Sequence, residues 1–276
     1  MSEREPDPTS ERWAPTGLRP SRLALAAIGY TTGIVVAEAC VAFVRPDVGV
    51  VAHALILFAL LQHHLWTTRR PSVLGETGRS TASRDVLVAL ALVPLLRISS
   101  LTMPLPEMSR LHSYTAAGVP VLVATLLAAR ALPSSDLRGR LLRYSGQNLI
   151  ALSGIPLGLF AYAIARPEPL DAGVLDIVLG SAGLVAFSAA AEELLFRGVL
   201  QNALYAAFGP VGILGSTGLF AAVYLGVRPL GYAAFAAAVG LLFAWFAHRT
   251  RSLLGVVVAH ALLTVSAIVI WPLVIG

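Results

Sequence analysis

The chain is 276 residues long, 57% hydrophobic and only 13% charged, with a mean hydropathy of +0.77 and a net charge of +5. A soluble domain carries about 25% charged residues, so this composition excludes an ordinary soluble fold and points to a bilayer as the solvent. Every basic side chain is an arginine, most of them lying between apolar runs, and no basic face with interleaved aromatics is present. That excludes nucleic acid as a partner and suggests topology signals and contact with membrane lipid headgroups.

Residues 1–22 are polar, of mixed charge and proline-bearing, the composition of a disordered cytoplasmic tail. No short apolar core follows a compact basic start, so a cleavable signal is not expected. A helical span needs about 20 apolar residues. The runs at 23–44, 48–67, 86–104, 114–132, 148–165, 173–195, 211–227, 230–248 and 252–275 qualify. They are continuous, rich in alanine and leucine, and too long for barrel strands. The expected fold class is therefore all-α: a polytopic transmembrane helix bundle of about nine spans, with eight as the alternative count.

Arginines set the orientation. The tail holds Arg4, Arg12, Arg19 and Arg22, and the first connection holds only Arg45. Arg69, Arg70, Arg79 and Arg84 follow, then Arg110 alone, then Arg130, Arg138, Arg140 and Arg143, then Arg166 alone. This alternation is a positive-inside signal and places the N-terminus in the cytoplasm. Carried forward, Arg249 and Arg251 are cytoplasmic. The polar stretch 133–147 divides N-terminal helices (23–145) from a C-terminal core (146–276).

Ionisable groups at bilayer depth are costly and mark candidates for function. Glu38 and Arg97 are expected to pair. His53, His63 and His64 lie in or near the second span, the latter two at its cytoplasmic end. Asp176 reaches the interface at the start of the sixth span. The lone cysteine, Cys40, reads as a small buried hydrophobe and excludes both an internal disulfide and a cysteine-rich metal site. Small residues at close spacing, Gly180, Ser181 and Gly183 or Gly212, Gly215 and Gly218, read as places of close helix approach.

The densest chemistry is AAAEELLFRGVLQNAL in the sixth span. Glu193 and Arg197 stand at i, i+4 with the acid first, the favourable order for a helical ion pair. Glu192, about 100° around the helix, faces elsewhere without a local partner. An unpaired carboxylate in an apolar bundle acquires a raised pKa and makes a general base once water reaches it. The bland reading of the same residues is a salt bridge beside an interfacial glutamate.

EELLFRG, Glu192 to Gly198, resembles the EExxxR motif of the CAAX-protease and bacteriocin-processing family, membrane proteases related to the Ras-converting prenyl-protein endopeptidase. The likeness spans roughly residues 172–275 and extends to VLQNAL and to the approach HRTRSLLGVVVAH. The family's second motif is FxxxH; Phe220 is present, and Tyr224 stands at the histidine position. The third is HxxxN or HxxxD; His260 matches, and Thr264 replaces the amide or acid.

The resemblance implies an intramembrane endopeptidase and two chemistries. In one, a divalent metal such as zinc is held by Glu192 and His260; Tyr224 is a poor ligand there, and a histidine borrowed from His53 or His248 would be needed to complete the set. In the other, Glu192 activates water, Glu193 and Arg197 brace the helix, Tyr224 orients the water or Glu192, and His260 and Thr264 donate to the oxyanion. The implied substrate is a hydrophobic or membrane-tethered peptide or protein. Arginine and alanine usage without lysine suggests a GC-rich bacterial gene, hence a multi-pass protein of a bacterial plasma membrane. Because Tyr224 and Thr264 depart from the motifs, a catalytically inactive relative acting in binding, immunity or regulation stands as the alternative. A transporter using Glu192 and Arg97 as a relay ranks behind both, for no Gly/Pro-interrupted pair of spans is present in matching halves.

Overall fold

The computed structural model describes residues 22–69, 77–103, 109–132, 135–143, 148–168, 170–226 and 229–275. The tail assigned to residues 1–22 lies outside them except for Arg22. All regular structure among the described residues is helical.

The leucine- and alanine-rich runs fold as α1 (Arg22–Phe43), α2 (Pro46–Arg69), α3 (Thr77–Thr102), α4 (Arg110–Ala131) and α6 (Asn148–Ala165). The short α5 (Leu137–Leu142) precedes α6, and α7 (Val174–Phe208), α8 (Pro210–Ala222), α9 (Leu230–Thr250) and α10 (Leu254–Ile275) follow it. Among the described residues, seven helices are long and apolar enough to cross a membrane; Leu149–Ala165 and Pro210–Ala222 are apolar but shorter. All nine apolar runs are thus helical, and two are shorter than a full span.

Two boundaries differ from expectation. The sixth run continues to Phe208 rather than stopping near residue 195, giving one helix of 35 residues. At 1.5 Å per residue it is about 50 Å long, well beyond a hydrocarbon core of about 30 Å. It ends where Gly209 takes φ +62, a conformation open to glycine at little cost, and Pro210 starts α8 at its first turn. The seventh run then stops at Ala222 instead of residue 227, and a turn carries Val223 and Tyr224.

α7 is also not uniform. It opens into π-helical turns at Leu184–Ala189 and again at Leu194–Leu200, with Ala190–Glu193 between them. The Ala190 N–H reaches back to the Val185 carbonyl, and that of Gln201 to Phe196. Such bulges re-aim the side chains beside them and cluster at functional sites.

Glycine contacts lock α7 into the bundle. A Cβ at Gly118 of α4 would lie 1.5 Å from the Phe187 carbonyl oxygen, and one at Gly183 would lie 2.2 Å from Thr115 Oγ1. α4 and α7 therefore touch backbone to backbone, as small residues permit in lipid. Gly154 does the same for α6 against the Ala259 carbonyl of α10. Of the small-residue groups read from sequence, Gly180, Gly183 and Gly212 sit at such approaches, whereas Gly218 meets no neighbour. α1, α2 and α6 turn large apolar side chains outward, among them Phe58, Leu152 and Phe160, as lipid contact requires.

The polar stretch 133–147 does more than connect. α5 lies inside it and seats Leu137 against Gly198 of α7, while the Leu253 N–H donates to the Arg140 carbonyl.

Candidate active site

Arg197 is 1% exposed and Glu193 fully buried, in a helix where every residue from Leu194 to Leu200 is enclosed. The i, i+4 pair forms as its spacing predicts: Arg197 Nη1 donates to Glu193 Oε1 at 3.0 Å. The guanidinium also donates through Nη2 to the Gly240 carbonyl of α9 at 3.2 Å and lies 4.0 Å from the Phe220 ring centroid. A buried charge must be paired and hydrogen-bonded to be tolerated; Arg197 meets this with an acid, a carbonyl and a ring face on three helices.

Glu193 has a second partner that local spacing does not reveal. His260 of α10 donates from Nδ1 to the same Oε1 at 2.8 Å. A carboxylate only accepts, so this contact assigns the proton to Nδ1 and leaves Nε2 as the other ring nitrogen. Phe220 and Phe243 pack on the imidazole, with centroids at 6.1 and 6.4 Å. Carboxylate, arginine and histidine thus form one buried cluster, and Glu193 orients His260 as well as bracing α7.

Glu192, one residue earlier, is half-buried and points into a different space. Tyr224 donates its hydroxyl to Glu192 Oε2 at 2.8 Å. Both residues line a cavity of about 120 Å³, together with His260 and Thr264. A water needs roughly 10–15 Å³ of such volume, so the space takes several waters beside a carboxylate. Thr264 Oγ1 donates to the His260 carbonyl one turn back, at 2.9 Å.

The structure thus brings Glu192, Tyr224, His260 and Thr264 to one cavity wall, with Glu193 and Arg197 directly behind. Glu193, and not Glu192, makes the direct contact with His260. Neither borrowed histidine is there. His53 is fully buried among the N-terminal helices, its Nε2 3.3 Å from Glu38 Oε1 without hydrogen-bond alignment. His248 is exposed and packs on Tyr205 at 4.5 Å between centroids.

The donor set does not suit a metal. No group of three or more His, Cys, Asp or Glu that could hold an ion occurs among the described residues. Glu192 and His260 Nε2 offer two donors and Tyr224 only a neutral phenol, fewer than the three protein ligands a catalytic zinc uses.

Arg97 pairs with Glu38 as expected, donating from Nε to Oε1, and from Nη1 to Ser100 Oγ at 2.9 Å. It is 2% exposed and borders the same cavity. Asp176 is exposed at the start of α7, and His63 Nδ1 meets the Tyr30 hydroxyl at 3.3 Å.

Sequence reasoning missed Arg140. It reads as one of four topology arginines, yet it donates from Nη1 to the Arg197 carbonyl at 2.8 Å and from Nη2 to the Ala247 carbonyl at 3.0 Å. Burial pushes its guanidinium down to about 10, against the partly opposing charge of Asp136, so it stays charged at neutral pH. Ser216, which donates to the Phe196 carbonyl at 2.9 Å, and Gln201, whose Nε2 donates to the Ala244 carbonyl at 3.0 Å, further tie α7 to its neighbours.

Residues 174–266 match the family model described as Type II CAAX prenyl endopeptidase Rce1-like. The match covers about a third of the chain, from the start of α7 through most of α10, and contains all six residues singled out above. The chain therefore carries, over those residues, a domain of a membrane endopeptidase family. No curated protein and no solved structure matches the chain.

Proposed function

We propose, from the Rce1-like domain at residues 174–266, that the chain is an intramembrane endopeptidase that cleaves a membrane-associated peptide or protein with water activated by Glu192. The observation that carries this reading is the Tyr224–Glu192 hydrogen bond at the wall of a cavity with room for several waters, also bordered by His260. Tyrosine at the motif's histidine position keeps a polar group on the carboxylate.

In the proposed reaction, Glu192 accepts a proton from water while the water oxygen forms a bond to the scissile carbonyl carbon. Charge then develops on the carbonyl oxygen; Thr264 donates to it once its hydroxyl turns from the His260 carbonyl, and His260 donates from Nε2 when the ring carries a proton there as well as on Nδ1. The C–N bond breaks as Glu192 returns its proton to the leaving amine, giving a new carboxyl terminus and a new amino terminus. Glu193 serves as the orienting acid of His260, a role parallel to the third member of a hydrolytic triad, and Arg197 holds Glu193. Metal ligation by Glu192 and His260 has less support, given the donor set.

One observation favours the second reading, a catalytically inactive relative that binds a membrane partner. Thr264 Oγ1 already donates within its own helix, so one oxyanion donor must rotate before it can act.

The test is a comparison of membrane-proteome N-termini in cells expressing wild type or Glu192→Ala at equal levels. Cleavage products that vanish in the variant establish the protease and name its substrate. Matching profiles would leave the binding role as the better reading.

A further inference from the structure

The cavity beside Glu192 draws on one end only of the helices that reach it from the rim. Ser100 comes from the last turn of α3 and Tyr114 from the first turns of α4. Ala165 is the final residue of α6, and Pro167 lies in the connection to α7. Tyr224 and Tyr232 flank the connection between α8 and α9. Around this end stand single arginines, Arg45, Arg110 and Arg166. Around the other end stand Arg69, Arg79 and Arg84, then Arg130, Arg138, Arg140 and Arg143, then Arg249 and Arg251.

That arginine-rich end is closed below the cavity. α7 is fully enclosed from Glu193 to Gln201. Arg140 of α5 plugs the space between α7 and α9 through the Arg197 and Ala247 carbonyls. Ser252 Oγ donates to the carbonyls of Arg140 and Arg143 and ties the plug to the start of α10. Arginine excess marks the cytoplasmic side, so the plug faces the cytoplasm and the rim faces away from it.

We propose that the cavity opens toward the non-cytoplasmic face of the membrane. Its substrate is then the extracytoplasmic juxtamembrane segment of a membrane-anchored protein or peptide, and a cytoplasmic tail has no route to Glu192. The word substrate rests on the endopeptidase reading; the direction of opening does not.

Thiol labelling of the full-length protein tests this. In a Cys40→Ser background, single cysteines are placed at Ser100 and Ser188 on the cavity wall, at exposed Asp171 and at exposed Arg249. A membrane-impermeant maleimide is applied to right-side-out and inside-out vesicles. The expected result is that Ser100→Cys and Ser188→Cys label with Asp171→Cys, at least tenfold faster from the right-side-out face, while Arg249→Cys labels only from the inside-out face. Cavity cysteines that follow Arg249→Cys overturn the proposal. So do Asp171→Cys and Arg249→Cys with exchanged sidedness, or cavity cysteines that react from neither face yet label fully in denaturant. Labelling needs no catalysis, so its failure is distinct from a null result with Glu192→Ala.

Discussion

Arg197→Met removes the one full positive charge that touches Glu193 and leaves that carboxylate fully buried. Breaking a buried ion pair by removing one partner costs about 3–5 kcal/mol. The Gly240 carbonyl loses its donor and the Phe220 ring its cation in the same change, contributions that overlap with the first and keep the total at the upper end of that range. Glu193→Gln strands Arg197 in the same way and leaves His260 Nδ1 only a neutral amide oxygen to donate to. The double variant removes both charges and restores a neutral interior, which buried pairs commonly tolerate. The double-mutant cycle in mixed-micelle unfolding is therefore expected to show a coupling of about 2–3 kcal/mol, the double variant losing that much less than the sum of the two singles. Additive losses, or a loss below about 1 kcal/mol for Arg197→Met, would refute the buried-pair reasoning.

Tyr224→Phe deletes one hydrogen bond to a carboxylate, worth about 1.5–3 kcal/mol. Applied to the barrier it predicts a fall in cleavage rate of roughly 10- to 150-fold, with the unfolding midpoint nearly unchanged. Gly118→Val forces α4 off the Phe187 backbone and should cost about 1–3 kcal/mol; a midpoint equal to wild type would show that α4 does not touch α7 there. Arg140→Met leaves the Arg197 and Ala247 carbonyls without their side-chain donor, at about 1–3 kcal/mol for an unsatisfied buried group. Faster protease cutting within 135–143 should accompany it, because α5 loses its anchor while the spans keep theirs.

Much of this molecule is legible in one dimension. Long apolar runs forced helices, since only a helix or a closed barrel satisfies its backbone in lipid. The i, i+4 spacing of Glu193 and Arg197 was enough to foresee their bond, because both partners ride one helix. Tyr224 beside Glu192 and Glu38 beside Arg97 were reachable as guesses, since a buried charge needs a partner and few are available.

What tertiary structure decided is which helix faces which. Glu193 and His260 are 67 residues apart, and nothing in their neighbourhoods says that Glu193, not Glu192, would meet the imidazole. Two π-helical segments rotate α7 away from a uniform 100° per residue, and a periodicity argument has no access to them. Arg140 shares composition and spacing with its surface neighbours, and only the packing of α5 on Gly198 turns it inward. Sequence by itself determined the helices, their apolar faces and the charges held among them, because those follow from local bonding and solvent. The cavity, its rim and its closed floor came from the close glycine contacts among α4, α6, α7 and α10, which are set by the shapes of whole helices rather than by any one segment.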